Sequence, residues 1–149
     1  MYVPQHFSET DVAPFATHVP LLLDAERGPL GTLVGHVARA NSHWQAFDGR
    51  LPALAIFQGP HAYVSPRWFA TTPNVPSWNY EVVHASGAPQ VFEEPARVRA
   101  LLERSAAVFE AGAEKPWTLA SVTENYVAGL RAEGRADGIA IATAMESLP

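Results

Sequence analysis

The alternation of hydrophobic and polar residues predicts a strand-rich first part of the chain. Runs that are apolar or alternate with period two, separated by turn-forming residues, are typical of strands. The predicted strands are residues 17–23, 30–37, 54–57, 62–64, 78–85 and 90–92. The uninterrupted apolar run Leu54–Phe57 indicates a strand that is buried on both faces or lines a barrel. Gly59-Pro60 should end this strand, and Ser86-Gly87-Ala88 should form a hairpin turn into the last one.

Helical spacing takes over after Glu94. Pro95 suits the first position of a helix, and apolar residues from Val98 to Phe109 recur along one face until Gly112. A second helix is predicted from Ser121, where Ser121 and Glu124 match a capping box, to Gly134. Residues 138–144 then alternate as a closing strand.

One shorter helical segment, Asn41–Phe47, lies within the strand-rich part. Asn41 is a suitable N-cap, and Trp44 and Phe47 stand three residues apart on one face, where Trp44 should pack in the core. Several short strands, two helices and a final strand define an α+β protein with a barrel or a strongly twisted sheet. We expect one domain over residues 1–149.

Composition narrows the function classes. The 149 residues include no cysteine, so disulfides, thiolate nucleophiles and iron–sulfur clusters are excluded. Neither a signal peptide nor a membrane-spanning stretch is visible, which favours a cytoplasmic protein. The net charge is −5 and the ten basic residues are scattered, so direct nucleic-acid binding is only weakly supported.

The sequence contains no recognisable catalytic motif. There is no Gly-x-Ser-x-Gly elbow, no glycine-rich phosphate loop, and no pair of histidines at the helical spacing of a metal site. We therefore name no catalytic residue and no metal ligand. Whether the protein is an enzyme stays open; if it is one, the chemistry would come from a cofactor.

Several long blocks of the sequence resemble the PaiB-type family of FMN-binding negative transcriptional regulators. They comprise residues 1–7, 17–24, 28–41, 55–66, 75–80 and 83–87, and the resemblance to the family runs over nearly the whole chain. The resemblance implies a split β-barrel similar to the pyridoxamine-phosphate-oxidase-like flavoproteins. It also implies a homodimer that holds FMN at the subunit interface, and a role in repressing protease production and sporulation.

Within this resemblance, His36, Arg39 and Asn41 are candidates for binding the FMN phosphate. They lie where a strand leads into a helix start, so that donors and helix N–H groups come close together. Each has a simpler alternative role. His36 could be a buried histidine bonded to a carbonyl, and Asn41 could be only a helix cap. Arg39, between two alanines, has little packing purpose.

Ser65, Trp68 and Trp78 are candidates for the cofactor cleft. The segment from Ser65 to Trp68 follows a strand, but could equally be a rigid turn in which Trp68 covers the barrel end. Trp78 belongs to a family block, yet an aromatic residue facing a dimer partner is as plausible as one stacking on the flavin.

The chain departs from the family pattern in two places. Residues 11–17 pass almost directly from the opening block to the Thr-His-Val-Pro block, where the family has a helix and a β-hairpin. The family's basic segment after the last strand is also missing. Loss of strands would open the barrel and expose an edge, which favours pairing with a second copy but threatens the ring side of the flavin site.

Three functions from different classes remain. The chain could bind FMN, with or without weak oxidoreductase activity. It could instead be a cofactor-free regulatory or interaction module that acts through a protein partner. Lastly, it could be a structural remnant that folds but has no activity of its own.

Overall fold

The computed structural model describes residues 2–3, 15–123 and 138–145. These residues form eight strands and one α-helix. In chain order the elements are β1 Tyr2–Val3, β2 Phe15–Ala16, β3 Leu21–Asp24, β4 Thr32–Ala38, β5 Ala53–Val64, β6 Ser77–Gly87, β7 Pro89–Phe92, α1 Pro95–Phe109 and β8 Gly138–Ala144. Three short 3₁₀ helices occupy Ser42–Ala46, Pro66–Trp68 and Leu119–Ser121.

The strands form two antiparallel four-stranded sheets. The first sheet has the order β2-β1-β5-β6 and the second β3-β4-β8-β7. A strand-rich chain with two antiparallel sheets and one helix is compatible with the expected split barrel. In the described part of the chain, no helix is long and apolar enough to cross a membrane.

Strand β4 is the centre of the second sheet and is buried on both faces. Leu33 faces the first sheet, where it packs with Ala55 and Ala85. Val34 points to the opposite face and packs with Leu101 of α1. Helix α1 therefore covers the outside of the second sheet, while the two sheets bury apolar surface against each other.

Gly35 lets β3 approach β4 unusually closely. A Cβ atom at this position would lie 2.7 Å from both the Pro20 carbonyl oxygen and the Leu21 Cδ2 atom. Leu21 is also the residue directly opposite Gly35 in the strand pair. Only glycine, which has no Cβ, permits this separation.

The prediction that Gly59-Pro60 ends a strand is wrong. β5 runs without interruption from Ala53 to Val64, and its register against β6 shifts between Gln58 and His61. The shift is typical of a β-bulge, which absorbs an extra residue and tolerates a proline that cannot donate a hydrogen bond. The run Leu54–Phe57 is also not buried on both faces, because Ile56 is about half exposed.

The prediction of a hairpin at residues 86–88 is also wrong. β6 pairs with β5, whereas β7 pairs with β8, so the short connection between β6 and β7 passes from one sheet to the other. The first predicted strand is shorter than expected and begins at Leu21 rather than Thr17. Helix α1 and the closing strand are confirmed, with Pro95 at the first helical turn. Most of the predicted second helix, residues 124–134, lies outside the described residues.

Candidate functional site

Arg39 and Glu93 meet at one end of the second sheet. Both β4 and β7 run antiparallel to β8, which lies between them, so they are parallel to each other and their carboxyl ends share one edge. Arg39 follows the last residue of β4 and Glu93 follows the last residue of β7. Their side chains form an ion pair in which Arg39 Nη1 and Glu93 Oε1 are 3.0 Å apart.

An open groove of about 520 Å³ surrounds this ion pair. Its lining residues are Arg39, Trp44, Val91, Phe92, Glu93 and Glu94. Trp44 and Val91 both pack against the core cluster of Val37 and Ile141, which fixes this wall of the groove. The groove thus combines apolar and aromatic walls with one guanidinium and two carboxylates.

Asn41 acts as a helix cap. Its side-chain oxygen accepts a hydrogen bond from the backbone N–H of His43 at 2.9 Å, which begins the 3₁₀ helix Ser42–Ala46. Its amide nitrogen donates to the Thr17 hydroxyl at 3.2 Å. The structural role predicted for Asn41 is therefore present, and both ends of its amide are already engaged.

His43 was not among the predicted site residues, yet it is the buried centre of this region. Its Nδ1 lies 2.9 Å from the Thr17 hydroxyl, and its ring packs against Phe15 and Phe47. Nε2 is buried and has no hydrogen-bond partner among the described residues. Burial lowers the pKa of His43, since the charged imidazolium would lose its hydration.

His36 lies on the face of β4 that is turned towards α1. It is directly opposite Ala140 of β8, and Ala140 is in turn opposite Phe92 of β7. Its side chain is half-buried, and burial lowers its pKa. A neutral imidazole can offer a phosphate one N–H donor but no positive charge, so the charge at this end of the sheet comes from Arg39.

Ser65 and Trp68 belong to the turn after β5. The buried Ser65 hydroxyl accepts hydrogen bonds from the backbone N–H of Arg67 at 3.3 Å and from its Nε at 3.2 Å. Ser65 therefore caps the 3₁₀ helix Pro66–Trp68. Trp68 is 69% exposed. The rigid turn described by the simpler alternative exists, but Trp68 does not cover a barrel end in this chain.

Trp78 lies on an exposed aromatic face of the β5–β6 pair. Opposite residues of antiparallel strands share a face, and the register places eight exposed side chains together, most of them apolar or aromatic. This outer face consists of Ile56, Gln58, His61, Tyr63, Trp78, Tyr80, Val82 and His84. The Trp78 ring stacks on the His61 ring with their centroids 5.7 Å apart. The Tyr63 ring also contacts Trp78, in a tilted arrangement.

The candidate residues thus form two separate groups. His36, Arg39 and Asn41 lie in or beside the second sheet, whereas Ser65, Trp68 and Trp78 lie at the distal end of the β5–β6 pair. Trp78 is seven residues along β6 from the buried Ala85, which corresponds to roughly 23 Å at strand spacing. No hydrogen bond, ion pair or ring contact between described residues joins the two groups.

Sequence reasoning missed Glu93 and the outer face. The residues around Glu93 in the sequence do not indicate that it contacts Arg39. The contact forms because β8 pairs with both β4 and β7. The outer face was hidden by the bulge, which brings Gln58 and His61 to the same face although they are three residues apart. Among the described residues, no three metal-ligating side chains cluster closely enough to hold a metal ion.

The two antiparallel sheets and the covering helix define a strand-rich protein that is compatible with a split barrel. The family model described as "Putative FMN-binding domain" matches residues 3–133. The chain belongs to this PaiB-type FMN-binding family.

Three curated relatives of this chain are longer than the part of them that it matches. The Bacillus subtilis "Protease synthase and sporulation protein PAI 2" is 32% identical over 115 aligned positions, which cover 63% of this chain and 55% of the relative. Uncharacterized proteins from Saccharomyces cerevisiae and Aspergillus fumigatus are each 29% identical. They cover 58% and 75% of this chain, and 53% and 60% of their own lengths. The chain therefore spans little more than half the length of these relatives.

Proposed function

We propose that this chain is a cytoplasmic, homodimeric FMN-binding protein that serves as a PaiB-like negative regulator or as a flavin-dependent redox accessory protein. The observation that carries the proposal is the position of Arg39. Its guanidinium lies at the mouth of an aromatic-walled groove, at the edge of the sheet where two parallel strands end. Family membership supplies the identity of the ligand.

The phosphate end of FMN fits the donors at this edge. A guanidinium carries five N–H donors in a planar arrangement that suits phosphate oxygens, and Glu93 Oε1 lies 3.0 Å from one of its nitrogens, Nη1. His36 is not among the residues that line the groove, so Arg39 is the donor on which the proposal depends. The groove volume falls within the roughly 300–1,000 Å³ typical of small-molecule sites.

The ring end of FMN needs apolar faces, and the outer face offers them. Trp78 and Tyr80 are 55% and 67% exposed, which is unusual for large aromatic side chains unless a ligand or partner covers them. Because one chain does not bring Trp78 near Arg39, the proposal requires a second copy. In such a dimer Ser65, Trp68 and Trp78 of one protomer would border the flavin held by Arg39 of its partner.

In this arrangement the flavin, when bound, supplies the redox chemistry. The residues of the chain bind and orient it: Arg39 fixes the phosphate, and aromatic side chains exclude water from the ring. No described side chain is needed as an acid, base or nucleophile.

The test is the visible absorption spectrum of the purified protein, recorded before and after FMN is added and the sample is desalted. A flavin band that remains with the protein is the expected result. A colourless protein that releases all added FMN would contradict the proposal, provided that circular dichroism shows the chain to be folded.

One observation favours a second candidate function, a cofactor-free module that acts through a protein partner. The outer face is a ready interaction surface whether or not flavin is bound, and Asn41 is already engaged as a cap. With a net charge of −5, regulation through a protein is favoured over direct DNA contact. DNA retardation that weakens steeply with added salt would contradict this second candidate.

A further inference from the structure

The carboxylate of Glu93 occupies the position on Arg39 that an anionic ligand needs. Its Oε1 atom lies 3.0 Å from Arg39 Nη1, a distance at which a phosphate oxygen would also bind. We propose that Glu93 competes with the FMN phosphate for Arg39 and thereby lowers the affinity of the site for FMN relative to riboflavin. This inference rests on the proposed function, because it presumes that Arg39 is the phosphate ligand.

The neighbouring carboxylate does not compete in the same way. Glu94 pairs with Arg97 at 3.2 Å, and the Arg97 guanidinium also lies 4.1 Å from the centre of the Phe92 ring. Glu94 is therefore held by a cation of helix α1 and is neutralised there. Glu93 alone of the two is directed at Arg39.

The Arg39–Glu93 pair is able to open. The two side chains are 46% and 50% exposed, so Glu93 can turn into water without burying its charge. Exposed ion pairs contribute little to stability, and the corresponding change in a binding constant is about twofold to fivefold. Glu93 thus adjusts affinity and does not block the site.

Competition of this kind weakens, by the same factor, the binding of every ligand that needs a free Arg39. A phosphate monoester carries a charge of about −1.5 to −2 at neutral pH, whereas Glu93 carries one negative charge. FMN can displace Glu93 from Arg39. Riboflavin, which lacks the phosphate, gains nothing from displacing Glu93.

The experiment is a titration of FMN and riboflavin into the full chain, followed by quenching of flavin fluorescence. The variants are Glu93→Gln, Arg39→Gln and the double variant, with Glu103→Gln as the matched control because it removes the same charge from an exposed ion pair on α1, outside the groove. Thermal denaturation of each variant checks that the fold is kept. We expect Glu93→Gln to tighten FMN binding about twofold to fivefold and to leave riboflavin unchanged.

The double variant identifies the cause. If Glu93 acts through Arg39, the gain from Glu93→Gln vanishes in the Arg39→Gln background. An equal gain in Glu103→Gln, or a gain that survives in the double variant, would overturn the inference in favour of a general charge effect. Weaker or unchanged FMN binding in Glu93→Gln would overturn it too.

Failure of the proposed function gives a different pattern. If neither the parent chain nor Glu93→Gln binds FMN, both the proposed function and this inference are overturned. If FMN binds and Arg39→Gln weakens it while Glu93→Gln has no effect, only the inference is overturned.

Discussion

The side chains of Arg39 and Glu93 meet at 3.0 Å although their strands are not neighbours in the sheet. β8 separates the two strands, and it begins at Gly138, a residue without a side chain, opposite Ala38. The two long side chains bridge this gap of two strand spacings, roughly 10 Å. At this end of the second sheet, an ion pair therefore links β4 and β7, two strands that are not hydrogen-bonded to each other.

Replacing Arg39 should separate ligand binding from stability. Arg39→Ala is expected to weaken FMN binding about tenfold to a hundredfold, because hydrogen bonds to charged groups contribute about 1.5–3 kcal/mol. Its unfolding free energy should change by less than about 1 kcal/mol, since the ion pair is exposed. Fluorescence titration and urea denaturation measure the two quantities. Arg99→Ala, which breaks an exposed pair with Glu103 on α1, is the control; an equal loss of FMN affinity there would contradict the assignment.

A side chain at position 35 should be poorly tolerated. Gly35→Ala places a Cβ within 2.7 Å of a backbone oxygen and of Leu21, and β3 must shift to relieve the clash. We expect a loss of about 3 kcal/mol, the upper end of the range for overpacking. Gly112→Ala is the control, because its Cβ would meet no atom within 4 Å. Urea denaturation of the two variants should differ clearly, and equal midpoints would refute the close approach.

Two histidines should make the protein less stable as the pH falls. Burial lowers the pKa of both His36 and His43 from 6.5, so the unfolded chain binds protons that the folded chain does not. Stability is therefore complete above about pH 6.5 and decreases as the pH falls below it, by up to about 1.4 kcal/mol per pH unit for each histidine. Two exposed carboxyls, Asp48 and Glu94, have pKa values below 3.8 and 4.5, so their effects begin only in stronger acid.

The assignment to His43 is checked by the slope of stability against pH. His43→Gln should flatten the dependence between pH 5 and 7 because one of the two buried rings is gone. Identical slopes in the parent chain and His43→Gln would show that His43 does not resist protonation.

The outer face should be the surface through which two copies associate. Trp78→Ser is expected to raise the dissociation constant of the dimer about thirtyfold, as for a central aromatic side chain at an interface. Val75→Ser is the matched control, because Val75 is 77% exposed but lies in the loop before β6. Sedimentation velocity over a concentration series measures both. A parent chain that sediments as a monomer at all concentrations would refute the dimer.

The elements predictable from the sequence were those encoded by neighbouring residues. Helix α1 begins at Pro95 and repeats apolar residues at helical spacing, and the Asn41 cap is a contact between residues two positions apart. The hairpin at 86–88 was wrong because turn-forming residues do not reveal whether the chain continues in the same sheet. β6 and β7 lie in different sheets, and only long-range pairing decides this.

In the candidate site, too, only features visible among neighbouring residues could be predicted from the sequence. Arg39 could be singled out because nothing in its surroundings needed an arginine for packing. Its partner Glu93 could not be predicted, because it lies 54 positions later in the sequence. Its position beside Arg39 depends on β8, which comes after both residues in the chain. The exposure of Trp78 likewise depends on how far β5 and β6 extend beyond the packed sheets, because residues 77–84 are exposed on both faces of β6.

The bulge at Gly59 and Pro60 has a consequence for how this region can vary in length. The bulge adds one residue to β5 relative to β6, so it determines which face of the strand pair each later side chain of β5 points to. Deletion of one residue there would send Tyr63 to the opposite side of the hairpin, unless the strands re-registered. Insertions and deletions of one residue should therefore be rarer here than substitutions, and pairs of length changes that restore the phase should be tolerated together.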